Sequence, residues 1–261
     1  MRDFSLERYG NLLSDLGGTG YCILPVSELL RGRGVSPWIA LRHDVDRRED
    51  RAVAMARLEG ALNVRATYYF RVGPRMAAPG TLREISSLGH EVGYHYEVLS
   101  KAGGNPERAR KIFVKELSYL RAFVEVQTAS MHGSPLSRWN NLSFWKNSSP
   151  EDFGLMGEAY LSFERFSGAI YLSETGGAWN SGDNLRDRFS PGGPVMPGPF
   201  SSTDELTAFL GKKPSPQIYL LVHPNRWTSG AASWGVQRAE DACANWLKRR
   251  LKKRSADRGK E

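Results

Sequence analysis

The sequence predicts a parallel α/β fold, a barrel, and two observations carry that prediction. Strand-length runs rich in apolar, β-branched and aromatic residues alternate with segments of helical period, at spacings of roughly 25 to 40 residues. Histidines and carboxylates gather where those strands end, and the carboxyl ends of strands are where α/β folds place their chemistry. Trp38–Asp46 shows both features: an apolar run, Trp-Ile-Ala-Leu, leads into Arg-His-Asp-Val-Asp. Alternation places Asp44 and Asp46 on one side of that strand. Two carboxylates so close raise each other's pKa unless a cation neutralises one, which suggests one metal ligand and one general base. An isolated Asp-x-Asp is more readily read as a strand end that caps the next helix.

Taken in order, Leu6–Leu16 carries apolar residues at helical spacing and stops at Gly17-Gly18. Tyr21–Leu24 reads as a short strand and Val26–Arg31 as a short helix. Glu49–Leu62 is a helix closing near Asn63, and Arg65–Val72, β-branched and aromatic, is a strand. Thr81–Leu88 is a helix ended by Gly89, and Glu91–Tyr96 is the next strand. Pro106–Val124 is the longest amphipathic segment, with Ile112, Phe113, Leu117 and Leu120 on one face. Thr128–Met131 is a strand leading to His132. Gly133–Asn180, rich in Trp, Asn and Ser, reads as loops and short elements, with a strand at Ala169–Ser173. A rigid loop spans Ser190–Pro199, and Thr203–Leu210 is a helix with Thr203 as its N-cap. Ile218–Val222 is a strand ending at His223-Pro224, and Ser233–Arg250 is the last helix. No internal repeat or interdomain linker interrupts the chain, so residues 1–250 are read as a single barrel domain and 251–261 as a basic, disordered tail.

Composition bounds the function. The net charge is +8, much of it in Lys248–Lys260, so basicity is not evidence for nucleic acid. That tail is a solvated helix end, with peripheral contact to an anionic membrane surface as the alternative. Cys22 and Cys243 match no metal or redox spacing. No run approaches the roughly 18 apolar residues of a membrane span. The N-terminus has no apolar signal core, so a soluble cytoplasmic protein is expected.

Four of the five histidines fall at strand ends: His43, His95, His132 and His223. In a barrel those ends converge on one mouth beside Asp44 and Asp46, and mixed His and carboxylate donors suit zinc or another divalent first-row metal. His90 precedes its strand and is read as structural.

Four segments then carry a resemblance. Arg-His-Asp-Val-Asp at 42–46, Ser-Leu-Gly-His-Glu-Val-Gly-Tyr-His-Tyr-Glu at 87–97, Ser-Met-His-Gly-Ser-Pro at 130–135 and Leu-Leu-Val-His-Pro at 220–224 occur in the order seen in the polysaccharide deacetylase family (the NodB-homology domain, carbohydrate esterase family four). The chain resembles that family over residues 36–227, and is most similar to its deacetylase-like proteins of surface-polysaccharide (O-antigen) biosynthesis. The resemblance implies a distorted (β/α) barrel and metal-dependent removal of an acetyl group from a sugar, nucleotide- or lipid-linked, with Zn2+ as the expected ion. It implies Asp44 as general base, Asp46 and His95 as metal ligands and His223 as general acid.

The sequence departs from the family in two places. The second ligand histidine expected four residues after His95 is Leu99. A third ligand is therefore needed; His132 is favoured, because catalytic zinc sites usually take three protein ligands with histidine common among them, and Glu97 is the alternative. The arginine that orients the base is missing from Met-His-Gly-Ser-Pro, so Arg42 or Arg138 is expected to replace it, held by Glu174. Trp179 is read either as a sugar-stacking wall or as loop packing, and Trp139, Trp145 and Trp227 likewise. His43 is expected to support the site from behind. Two other functions fit the same residues: a catalytically inactive, carbohydrate-binding or scaffold protein on a deacetylase-like barrel, and a different amidohydrolase on that barrel.

Overall fold

The computed structural model describes residues 2–74, 76–134, 137–175, 177–180, 189 and 191–243. Helix α1 (Leu6–Gly17) opens the chain, with the Ser5 hydroxyl accepting from the Arg8 amide at 3.2 Å as its cap. Strand β1 (Cys22–Leu24), helix α2 (Val26–Leu30) and strand β2 (Trp38–Val45) follow. Helix α3 (Glu49–Ala61) leads to β3 (Thr67–Phe70), shorter at both ends than its sequence suggests, and α4 (Pro79–Ser87) leads to β4 (Glu91–Tyr96). After a one-turn helix α5 (Val98–Lys101), α6 (Pro106–Arg121) begins on an Asn105 cap with Pro106 at its first position. Strand β5 (Val126–Met131) comes next. The Trp- and Asn-rich stretch then supplies two 3-10 helices (Asn141–Asn147, Pro150–Phe153), β6 (Gly157–Glu158), α7 (Ala159–Glu164) and β7 (Ile170–Ser173). Helix α8 (Thr203–Gly211), strand β8 (Gln217–Val222), a 3-10 turn at Pro224–Arg226 and a helix over 231–243 (α9) complete the described chain. The rest of the predicted last helix and the basic tail, residues 244–261, lie outside the described residues, as does Ser190 of the predicted rigid loop.

The eight strands among the described residues are all parallel, in the order β6-β5-β4-β3-β2-β8-β7, with β1 pairing the first half of β2. The path ends at β6 and β7, which do not pair with each other, so this is a distorted, open (β/α) barrel. Side-chain alternation sorts the core into two parts. Ile39, Leu41, Val45, Tyr68, Phe70, Tyr94, Tyr96, Leu220 and Val222 pack in the larger apolar cluster with the helices. Ala40, Tyr69, Tyr171, Tyr219 and Leu221 fill the interior with residues of α2 and α7. Arg42 and Asp44 share the phase of Ala40, so two charged residues are directed into the barrel.

The interior is polar for a barrel core, and two of its buried carboxylates are fully engaged. Glu91 accepts from the Thr67 hydroxyl at 2.6 Å, from the Thr128 hydroxyl at 2.5 Å and from the Ser27 amide at 2.9 Å, which ties α2 to β3, β4 and β5. Glu158 caps α7 and accepts from the Met131 and Leu161 amides, both at 2.8 Å. Burial pushes its carboxyl up to about 7, which those bonds and the Arg42 charge only partly offset. Gly93 marks a close approach: a Cβ there would lie 2.4 Å from the Tyr69 ring. No helix among the described residues is long and apolar enough to cross a membrane.

Candidate metal and catalytic site

Three ligand atoms converge at the mouth of the barrel. Asp46 follows β2, His95 lies near the end of β4 and His132 follows β5, and their ligand atoms all lie within 4.8 Å of one another. Asp46 Oδ1 is 3.5 Å from His95 Nε2 and 3.5 Å from His132 Nε2. Donors about 2.0–2.2 Å from a tetrahedral ion stand about 3.3–3.6 Å apart, so these separations fit. Asp46 Oδ1 is buried and makes no hydrogen bond among the described residues, as expected of an acceptor shaped for a cation.

Each histidine is held by its other nitrogen. His95 Nδ1 donates to the Ser130 carbonyl at 3.1 Å, and His132 Nδ1 stands 2.8 Å from Glu97 Oε2. Both rings are thereby fixed with Nε2 free for the cation, the carboxylate- or carbonyl-histidine arrangement that raises ligand basicity. Glu97, the alternative third ligand, lies on the far side of His132. Its other oxygen accepts from Arg71 Nη2 at 2.5 Å, and His132 and Arg71 outweigh burial to hold its carboxyl well below the usual range. The geometry makes it a support for His132 rather than a member of the three-donor cluster. At Asp46 burial pushes the carboxyl up, but His95, His132 and His223 hold it well below the usual carboxylate range. Burial lowers the His95 pKa, while Asp44 and Asp46 more than restore it and leave the ring easier to protonate than usual.

Asp44 is 4% exposed and lies beside this cluster, its Oδ2 3.6 Å from His95 Nε2. Arg42 Nη2 donates to the same Oδ2 at 2.9 Å, and Asp44 Oδ1 is free of hydrogen bonds among the described residues. The Arg42 guanidinium is 5.6 Å from the ring centres of both Tyr69 and Tyr219, which fixes its position. Of the two arginines expected to hold the base, Arg42 is the one in place. Arg138 instead stacks on Trp139, 4.7 Å from the ring centre.

His223 ends β8. Its Nδ1 donates to the Glu174 carbonyl at 2.6 Å and its amide to Glu174 Oε2 at 3.2 Å. Nε2 is the nitrogen left to exchange a proton.

The packing decides the open readings of the tryptophans and corrects two expectations, those for Glu174 and His43. Trp179 is fully buried, packs on Phe4 and Trp227, and donates Nε1 to the Thr203 hydroxyl at 3.1 Å, so it is a core residue and not a sugar wall. Trp227 is likewise core at 2% exposure, and Trp145 packs on Phe113 and Phe144 while donating to the Tyr96 hydroxyl. Glu174 holds Arg226, at 3.4 Å, together with His223, and not Arg42. His43 does not back the metal cluster. Its phase on β2 is opposite to that of Asp44, and it lies under α3 with Nε2 2.7 Å from Glu59 Oε1, in a sealed group with Tyr9, Tyr68 and His90. His90 is structural as expected, accepting the Ala66 amide and donating to the Ala56 carbonyl.

Leu99, where a second ligand histidine was expected, sits on α5, packs in the larger apolar cluster and lines a groove of about 460 Å3 with Gly104, Trp139 and Phe144. Arg226, Asp241, Glu59 and Arg71 carry no motif that would have found them; each is legible only once packing brings it to its partner.

No protein-family model matches the sequence, and no curated protein matches it. Among solved structures, the chain is similar to a carbohydrate esterase family 4 pseudoenzyme from Bacillus anthracis, at 14% identity over 70% of this chain and 63% of that one, with a TM-score of 0.39. It is also similar to a family 4 carbohydrate esterase from Bacillus anthracis (13% identity, 70% of this chain, 79% of that one, TM-score 0.38). A variant of the peptidoglycan deacetylase PdaC from Bacillus subtilis gives 12% identity over 81% of this chain and 96% of that one, with a TM-score of 0.36. The chain thus covers less than two thirds of the pseudoenzyme's length. Likenesses this distant do not carry a function.

Proposed function

We propose that this chain is a metal-dependent hydrolase that removes an acetyl group from a sugar. The observation that carries the reading is the convergence of Asp46, His95 and His132 beside a base, Asp44, and an acid, His223, each held by its own partner. Asp46, His95 and His132 are the residues that would hold the ion. A divalent metal there supplies Lewis-acid polarisation of the acetyl carbonyl and a water of lowered pKa. Zinc fits a set of one carboxylate and two imidazoles.

The chain's own residues do the rest. Arg42 occupies one Asp44 oxygen and leaves Oδ1 to take the proton of the attacking water. His223 gives its Nε2 proton to the departing amine or alkoxide as the bond to the acetyl carbon breaks. Water's oxygen and its second hydrogen leave as acetic acid, which ionises to acetate in solvent, and the proton held by Asp44 passes to His223 to close the cycle. The order of the motifs at 42–46, 87–97, 130–135 and 220–224 supports a sugar as the substrate and surface-polysaccharide (O-antigen) precursors, nucleotide- or lipid-linked, as the class to try first.

The test is acetate release from N- and O-acetylated sugars, free and nucleotide-linked, by metal-loaded protein with and without a chelator. Release that the chelator stops is the expected result. Loaded protein that binds these sugars without releasing acetate would favour the carbohydrate-binding reading. Hydrolysis confined to non-sugar amides would favour the amidohydrolase reading.

A further inference from the structure

The motif-bearing stretch ends near residue 227, yet the site does not. His223 is held by Glu174, Glu174 lies against Arg226, and Arg226 lies against Asp241 of α9. We propose that Arg226 and Asp241 are positioning residues that fix Glu174 against His223, so that α9 is part of the catalytic apparatus. This rests on the reading of His223 as the general acid.

The contacts are specific. Arg226 Nε is 3.4 Å from Glu174 Oε1 and donates to Asp241 Oδ1 at 3.2 Å, and the carboxylates are 0% and 5% exposed. Glu174 Oε1 also accepts the Gly177 amide at 3.0 Å, which closes the turn after β7. A second residue of α9 holds that turn from outside: Arg238 Nη1 donates to the Gly177 carbonyl at 2.8 Å. Gly177 has φ +70, and a Cβ there would lie 2.2 Å from Arg238 Nη1, so the turn and α9 fit closely. Arg51 of α3 completes the seam, 2.8 Å from Gln237 Oε1 and bonded to the Asn225 carbonyl.

A buried carboxylate is held in place by its cation, and removing one partner of such a set is costly. Burial alone would push the Glu174 carboxyl up, but the Arg226 guanidinium and the bond to His223 hold it below the usual range. Arg226 faces Glu174 and Asp241 and feels Asp46, while His223 faces Glu174 with Asp46 across the mouth. Asp241 gives Arg226 a second anchor, so the guanidinium stays at Glu174 rather than turning toward Asp46. Without Arg226, Glu174 takes up a proton or leaves its place, and His223 loses the carboxylate that its ring and amide face.

The experiment compares wild type with Arg226→Gln, Arg226→Lys and Asp241→Asn, each loaded with zinc. Turnover is followed against pH, and the His223 imidazole is titrated by NMR in the same proteins. Arg226→Gln is expected to lower kcat about tenfold, a part of the 10²–10⁴ that a general acid supplies, with KM unchanged. The His223 titration and the alkaline limb of kcat both move to lower pH. Arg226→Lys restores most of the rate, and Asp241→Asn, nearly isosteric and expected to fold, moves both readouts in the same direction by less. If Arg226→Gln and Asp241→Asn fold and leave the His223 titration at the wild-type position, the proposal is overturned. The titration needs no turnover. A shift in a protein that releases no acetate would therefore support the coupling and count against the deacetylase reading alone.

Discussion

Replacing Asp44 with Asn is expected to lower kcat for acetate release roughly 10²- to 10⁴-fold, the usual contribution of a general base. The substitution keeps the shape of the side chain, and its amide oxygen still accepts from Arg42, so the strand and the interior stay packed. What is lost is the free Oδ1 lone pair that takes water's proton. Asp44 is not one of the three converging donors, so metal content is expected to match wild type. A fall in kcat without a fall in metal is the signature of a base. An Asp44→Asn protein as fast as wild type would assign the base elsewhere, and one that loses its metal would make Asp44 a ligand.

The second large effect lies outside the site. Glu59, on the buried face of α3, is fully enclosed, and there it accepts from the Tyr9 hydroxyl, from the Tyr68 hydroxyl at 2.7 Å and from His43 at 2.7 Å. Glu59→Ala leaves three buried polar groups without their acceptor and opens a gap between helix and sheet. The expected loss is roughly 3–5 kcal/mol, seen as a lower urea midpoint with an unchanged slope. Burial pushes the Glu59 carboxyl up, but His43, His90 and Tyr9 outweigh it and bring it below its ordinary value. A depressed carboxyl contributes stability above its unfolded pKa, about 4.3, and that contribution is lost as pH falls through the folded value. Wild type should therefore lose stability on acidification below that point, and Glu59→Gln should flatten this part of the profile. A Glu59→Ala protein as stable as wild type would show that the sealed group contributes nothing.

Much of this fold was legible because its strands are buried on both faces. Runs such as Ile218–Val222 and Trp38–Leu41 read as strands without any need for alternation, whereas the cap read at Thr203 lies one residue earlier, at Ser202, whose hydroxyl accepts from the Glu205 amide. The short β6 and α7 were not legible: two strand residues and six helical ones carry no period, and tertiary packing alone defines them. In the site, the residues at strand ends were found because topology alone brings them to one mouth. His43 was misjudged because position along a strand was weighed and phase was not. Asp44 and Asp46 share a phase, and His43, one residue earlier than Asp44, has the other. Trp179 was left open because an aromatic beside Gly and Asn reads alike as a platform or as core; full burial decides it. Arg226 and Asp241 were missed because their meaning lies in a contact between a turn and a distant helix.

The central claim is a metal held by Asp46, His95 and His132, and metal content tests it most directly. Purified wild type would be incubated with zinc, desalted and analysed by elemental mass spectrometry beside Asp46→Ala, His95→Ala, His132→Ala and Glu97→Gln. Stoichiometric zinc is expected in wild type and none in the first three. Glu97→Gln should retain metal with an affinity weakened roughly 10- to 100-fold, as for the loss of a carboxylate that orients a ligand histidine. Wild type that stays free of zinc, cobalt and nickel would contradict the account, and so would a His132→Ala protein that binds zinc as wild type does.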